Sequence, residues 1–171
     1  PELAISLEDL ETSSKASSQL KKQKGDYEDF YFNYGLIYDL RNSRYKPSSG
    51  STTRFFQELP IVSSNNEITN TFTYTKYKNL NQKEDMIGKA SIYLQAINSL
   101  DSSDVRISKR GQVPYLRLRG FERGKVGPVD NEDYIGGNYV SALNATADLP
   151  IFQNLETFDF NIFFVGLGIP F

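Results

Sequence analysis

The sequence predicts an all-β fold, part of an antiparallel transmembrane β-barrel with about seven strands and one long internal loop. Three observations lead there. Apolar and polar residues alternate over segments as long as Phe30 to Arg41. The faces opposite the apolar rows carry Thr, Ser, Asn, Gln and Tyr more than charge. No run of about eighteen apolar residues exists, so a membrane-spanning helix is excluded. A soluble β-sandwich or lipocalin-like barrel also alternates, and mean hydropathy (−0.47) does not separate the two. The uncharged polar faces favour the membrane barrel, whose strands show lipid only every second residue.

The first segment, Leu3 to Leu10, is ambiguous: Leu3, Ile5 and Leu7 alternate, while Leu3, Leu7 and Leu10 also fit one helical face. Phe30 to Arg41 is the clearest strand. Phe30, Phe32, Tyr34, Leu36, Tyr38 and Leu40 make one row, and Tyr31, Asn33, Gly35, Ile37, Asp39 and Arg41 make the other. Its length exceeds the usual soluble strand and suits a tilted crossing of a bilayer. A turn-rich break at Ser43–Gly50 precedes a less regular strand, Ser51 to Val62, and Ser63–Asn66 is a second break. From Ile68 to Tyr77 a threonine row (Thr69, Thr71, Thr73, Thr75) opposes Ile68, Phe72 and Tyr74. Gly88, Ala90, Ile92, Leu94 and Ala96 oppose Lys89, Ser91, Tyr93 and Gln95. Residues 98 to 134 then read as a loop holding at most one short strand, near Val113 to Arg119; a loop of that length is functional or disordered. Its aromatic, aliphatic and Gly-Pro content does not suit a disordered linker. Tyr139 to Leu149 and Phe158 to Phe164 restore the alternation.

Composition removes several function classes. The formal net charge of −2 argues against a nucleic-acid partner. With no Cys there is neither a disulfide nor a thiolate metal site, and with no His the commonest general base and metal ligand are missing. No catalytic, cofactor or metal motif is present, so the expectation is a protein without enzymatic chemistry. Pro1 to Leu10 lack the basic and apolar regions of a signal peptide. A barrel of the outer membrane must be exported, so either a signal was removed or the chain is an internal fragment; the fragment is the favoured expectation, residues 1–171 forming one partial barrel domain.

Three constellations stand out. Asp39 and Arg41, two apart on a strand, point the same way and can pair, and Pro47 and Gly50 suit the turn that follows. A satisfied ion pair at a strand end explains them as well as a functional role does. Leu118-Arg119-Gly120-Phe121 places a glycine where the chain can turn tightly between an arginine and an aromatic. Alone it reads as a solvated turn. Gly127-Pro128, then Gly136 and Gly137, allow close backbone approach or a bulge where the next strand opens.

Taken in order, Tyr-Asp-x-Arg-Asn…Pro-x-x-Gly, then Leu-Arg-Gly-Phe…Gly-Pro…Ile-Gly-Gly-Asn, the chain resembles the bacterial outer-membrane barrel-assembly family over about Tyr34 to Phe164. The superfamily includes the mitochondrial sorting-and-assembly barrel and the two-partner secretion transporters. The resemblance implies a place in the outer membrane and a role inserting β-barrel proteins there, or alternatively a secretion or diffusion pore. It implies outer-membrane lipid, unfolded outer-membrane proteins and accessory assembly lipoproteins as partners, and no cofactor. It also implies that the loop folds back into the lumen with Arg119, Gly120 and Phe121 at its tip. Family barrels have sixteen strands, so about seven correspond to the later part of one. The family's loop arginine is held by an aspartate in an aromatic-aromatic-x-Asp-x-Gly segment. Here that segment reads Phe163-Phe164-Val165-Gly166-Leu167-Gly168, so Gly166 stands in the carboxylate's place and Asp148 or Asp159 would have to substitute.

Overall fold

A computed structural model describes residues 1–83, 85–101, 103–118 and 120–148 in full, and the backbone of 149 and 158–168. Strands β1 (Glu2–Leu10), β2 (Gly25–Asp39), β3 (Gly50–Ser63), β4 (Glu67–Asn79) and β5 (Ile87–Ser99) run in sequence, followed by a short hairpin of β6 (Val129–Asp130) and β7 (Asp133–Tyr134) and by β8 (Tyr139–Leu149) and β9 (Phe158–Gly168). Seven of them form a single sheet in the order β1-β2-β3-β4-β5-β8-β9. Every neighbouring pair is antiparallel. The ambiguous first segment is therefore a strand: Leu3, Ile5 and Leu7 have one exposed row to share, and pairing with Phe32 to Glu28 satisfies the backbone. Residues 40 and 41, expected within the second strand, lie just past its end.

Register decides which face each residue takes. Leu36, Phe55, Phe72 and Leu94 lie side by side across four strands, as do Tyr38, Thr53, Tyr74, Ile92 and Leu143 one pair further along. Leu36, Ile92, Leu94 and Leu143 are exposed. The intervening rows read Ile37, Arg54, Thr73, Tyr93, Ala142 and Asp39, Thr52, Thr75, Ser91, Asn144. These are the concave rows, and Thr52, Thr75, Ser91, Tyr93 and Ala142 are buried. A soluble sheet hides its apolar face; this one hides its polar face and exposes its apolar one. That inversion fits lipid outside and a wet lumen inside.

The apolar band also climbs across the sheet. On β1 it faces the half of β2 nearest the long loop, whereas on β8 it starts at Leu143 and continues through Ala145, opposite Ile92 and Ala90 toward the far end of β5. Strands inclined to a barrel axis produce such a climb. A bulge between Phe30 and Tyr31, where the β3 partner skips from Val62 to Pro60, sharpens the bend near the loop end. The skipped residue is Ile61, and Pro60, which has no N–H to give, lies beyond the end of the β3-β4 ladder at Glu58.

At that end, residues 11–24 connect β1 to β2 and include α1 (Ser18–Lys22). The Oγ of Ser17 accepts from the Leu20 N–H at 3.2 Å, a side-chain N-cap. This one-turn helix lacks the hydrophobic periodicity that would announce it in sequence.

Candidate functional site

The long loop, bounded by β5 and β8, runs over residues 100–138 rather than 98–134, because pairing holds β5 to Ser99 and β8 starts only at Tyr139. It lies against the concave face. Two clusters of contacts hold its root and its middle.

At the root sits Arg106, fully buried, with Asp29 of β2 beside it at 2 % exposure. The Nη2 of Arg106 donates to Asp29, whose other carboxylate oxygen accepts from Ser63 Oγ at 2.6 Å and from the Ser64 N–H at 3.2 Å. The Arg106 backbone N–H donates to Glu67 of β4 at 2.6 Å, and Glu8 of β1 stands 3.7 Å from Arg106 Nε. The guanidinium also lies over the Tyr27 ring at 4.2 Å. Burial opposes the charge, but Asp29, Glu67 and Glu8 outweigh it and raise the arginine's pKa above its usual value. Flanking contacts extend the anchor. The Ile107 N–H donates to Gln23 Oε1 at 2.6 Å, Ser108 Oγ donates to Glu8 at 3.0 Å, and Lys109 covers Tyr31 at 4.4 Å. One residue of the loop thus ties together β1, β2 and β4.

Gly111 and Gly137 close the loop's neck by exchanging backbone hydrogen bonds of 2.8 and 3.0 Å. A Cβ on Gly111 would stand 2.6 Å from Val140 Cγ2 and from Gln95 Oε1. The close approach foreseen for Gly136 and Gly137 is therefore present, with Gly136 at φ 68° against Gly111 O. The strand itself opens only after Asn138.

Beyond the neck, where the sequence allows at most a short strand near Val113 to Arg119, the described residues 113–118 form none. Pro114 has no N–H to give a ladder and its fixed φ (−56°) starts a single 3-10 turn over Tyr115–Arg117 instead. That turn packs onto the wall: Val113 and Leu118 are buried with Tyr93, Val140 and Ala142, and Val126 packs alongside. Asn144 Nδ2 donates to the Arg117 carbonyl at 2.9 Å, and Arg117 Nη1 donates to Ser91 Oγ at 2.9 Å while its guanidinium lies 4.8 Å from the Tyr93 ring centre. Burial lowers the Arg117 pKa; Tyr93 opposes the shift and the charge of Arg54 adds to it.

Arg119 lies outside the described residues. Gly120 turns with φ 88°, and Phe121, half exposed, borders a small cleft with Val113, Leu118 and Val126. Gly127 adopts φ 134°, and the Pro128 carbonyl accepts from the Ile135 N–H at 3.0 Å, closing the β6-β7 hairpin. Asp133 in that hairpin accepts from the buried Ser17 N–H at 2.9 Å. Asp39 and Arg41 pair as expected, with Nη2 to Oδ2 at 2.8 Å. Gly50 sits at φ 96° with no room for a Cβ, which would fall 2.1 Å from the Leu40 carbonyl oxygen. By backbone register Gly166 faces Ser141, and Asp159 faces Asp148.

Between loop and wall remains a cavity of about 1060 Å3. Arg41, Lys46, Pro47, Arg54, Lys89 and Arg117 border it, together with Asp85 and Asp148. Arg41, Pro47 and the loop thus meet one lumen, with Asp39 paired to Arg41, whereas Gly127, Gly136 and Gly137 serve the loop's own fold. Sequence reasoning missed Arg106, Asp29 and Glu67, whose separations of 39 and 77 residues leave no local motif. The available signal was a pair of carboxylates on the inward rows of two aromatic-rich strands.

An Omp85 superfamily domain profile matches residues 2–165. Among curated protein sequences, none matches. Among solved structures, the chain is similar to BamA from Haemophilus ducreyi lacking POTRA domains 1-3, with a TM-score of 0.66 at 23% identity. The match covers 77% of this chain and 27% of that one, so the chain spans about a quarter of the length of that structure.

Proposed function

The chain belongs to the Omp85 superfamily of outer-membrane assembly and transport proteins, and from that premise we propose that the barrel it helps to build inserts other β-barrel proteins into the outer membrane. The observation that supports this reading most is the loop. Residues 100–138 are clamped against the lumenal wall by Arg106 and by the Val113–Leu118 cluster, and they carry Arg119-Gly120-Phe121 in the family's order. The outward row takes lipid as its partner; unfolded outer-membrane proteins and accessory assembly lipoproteins are the proposed protein partners.

The physical logic needs no covalent chemistry. A barrel seam that opens exposes unpaired N–H and C=O groups, and an incoming strand can pair with them before it has a barrel of its own. In a bilayer the penalty for unpaired backbone makes such templating strongly favourable. The loop's part is to hold the wall in shape from within. The test replaces Arg119 by alanine in the full-length protein and follows both its own folded level and the assembly of a client barrel. A fall in client assembly is expected; unchanged assembly with an unchanged folded level would sink the proposal.

The cavity left beside the loop favours a second reading, a secretion or diffusion pore. Steady single-channel conductance, together with export of one dedicated partner and no effect on client barrels, would favour the pore over the assembly role.

A further inference from the structure

Two guanidinium groups face the lumenal cavity from opposite sides. Arg54 projects from the concave row of β3, where its register neighbour Thr73 pairs in turn with Tyr93. Arg117 stacks on that same Tyr93 from the loop. Both border the cavity, with Thr73, Thr75, Ser91 and Asn144 between and beside them. Their charges repel, as the effect of Arg54 on Arg117 records. Arg117 is partly buried, and among the described residues a hydroxyl and a ring face receive its donors. Among the described residues no carboxylate pairs with either arginine, although Arg41, Arg106 and Arg110 each have one.

Such an arrangement costs free energy as it stands. A guanidinium taken out of water needs acceptors, and a second cation facing the same space adds to the cost. An anion between them reverses both effects, since each arginine offers a planar fork of N–H donors that matches carboxylate or phosphate oxygens. The hydroxyl and amide groups of Thr73, Ser91 and Asn144 supply further hydrogen bonds to an anion seated there. Lys89, the next inward position on β5 before Ser91 and also on the cavity, extends the positive lining along the strand.

We propose that Arg54 and Arg117 form an anion site bridging wall and loop, which takes a carboxylate- or phosphate-bearing group and clamps the 3-10 turn to β3. Occupancy would then add a polar clamp to the apolar packing of Val113 and Leu118 that already holds the loop's middle. The site makes the loop responsive to what enters the lumen, and it stands whichever of the two functional readings holds.

The test uses the full-length protein in detergent, its barrel checked by heat-modifiable gel mobility. Equilibrium dialysis at constant ionic strength measures binding of radiolabelled citrate and, separately, inorganic phosphate. Hydrogen exchange over residues 113–118 is followed with and without the anion. Wild type is expected to bind and to slow exchange in the turn. Arg54→Gln, an exposed wall substitution, is expected to weaken binding about tenfold or more, as loss of one charge-assisted pair implies, and to abolish the slowing. Tighter citrate than phosphate identifies carboxylates as the natural class, and the reverse identifies phosphates. No binding by wild type, equal binding by Arg54→Gln, or binding that leaves loop exchange unchanged overturns the proposal.

Discussion

Replacing Arg106 by methionine should release the root of the loop while leaving the strands paired. In the native protein Asp29 is buried with Arg106 as its cationic partner and with Ser63 and Ser64 as further donors. Methionine fills much of the space but leaves the carboxylate with two neutral donors in a dry site. Removing one partner of a buried ion pair costs about 3–5 kcal/mol, and loss of the stacking on Tyr27 adds to it. Two loop contacts survive, because the N–H groups of residues 106 and 107 that donate to Glu67 and Gln23 belong to the backbone. The loss should therefore appear as easier local opening. At about 1.4 kcal/mol per tenfold, amide exchange over residues 105–118 should accelerate by roughly two to nearly four orders of magnitude. Hydrogen exchange of the intact barrel in detergent measures this directly. A second substitution supplies the control: Asp29→Asn combined with Arg106→Met removes the stranded charge and should recover most of the loss. Exchange within about threefold of wild type for the single variant, or no recovery in the double variant, would refute the reasoning.

Gly50→Ala should destabilise the β2-β3 connection by more than an ordinary surface change. Its φ of 96° disfavours any side chain, and the new Cβ would collide with the Leu40 carbonyl; denaturant unfolding of the barrel measures the fall. On the outward row, Leu94→Arg should cost about 2–4 kcal/mol if that position lies near the bilayer midplane. Thr146→Arg on the concave row, bordering the cavity with Asp85 and Asp148, should cost far less, since water reaches it. Comparing the two variants' unfolding midpoints in lipid checks that difference.

Much of the fold was legible because a barrel strand repeats every two residues. The rows from Phe30, Ile68, Gly88 and Tyr139 emerge in the structure on the expected faces, with boundaries off by a few residues where a ladder outlasts the pattern. The short alternation at Leu3 could not exclude a helix, since three apolar residues satisfy both periods; only the β2 ladder decided it. Near Val113 the pattern allows at most a short strand, and Pro114, which cannot complete a ladder, turns the chain into a 3-10 turn instead. The candidate site was legible only where it is local. Asp39 with Arg41, Gly50, and the Gly136-Gly137 neck are short-range features with turn or close-approach chemistry. Arg106, Asp29, Glu67 and Glu8 meet only once four separate segments have folded together, and nothing in the spacing of one announces the others. Arg54 and Arg117 share that character, since their relation exists only across the lumen.

Lipid outside and a loop-filled lumen inside can be measured directly, because the chain has no cysteine. Single cysteines placed in turn at positions 88 to 96 of the full-length protein in membranes, and at Val113 and Leu118, would be challenged with a water-soluble thiol reagent and with a lipid-confined quencher. Quencher access is expected at positions 90, 92, 94 and 96, reagent access at positions 89, 91, 93 and 95 graded by the cover of the loop, and protection from both at positions 113 and 118. Loss of the two-residue alternation, or free labelling at positions 113 and 118, would contradict that arrangement.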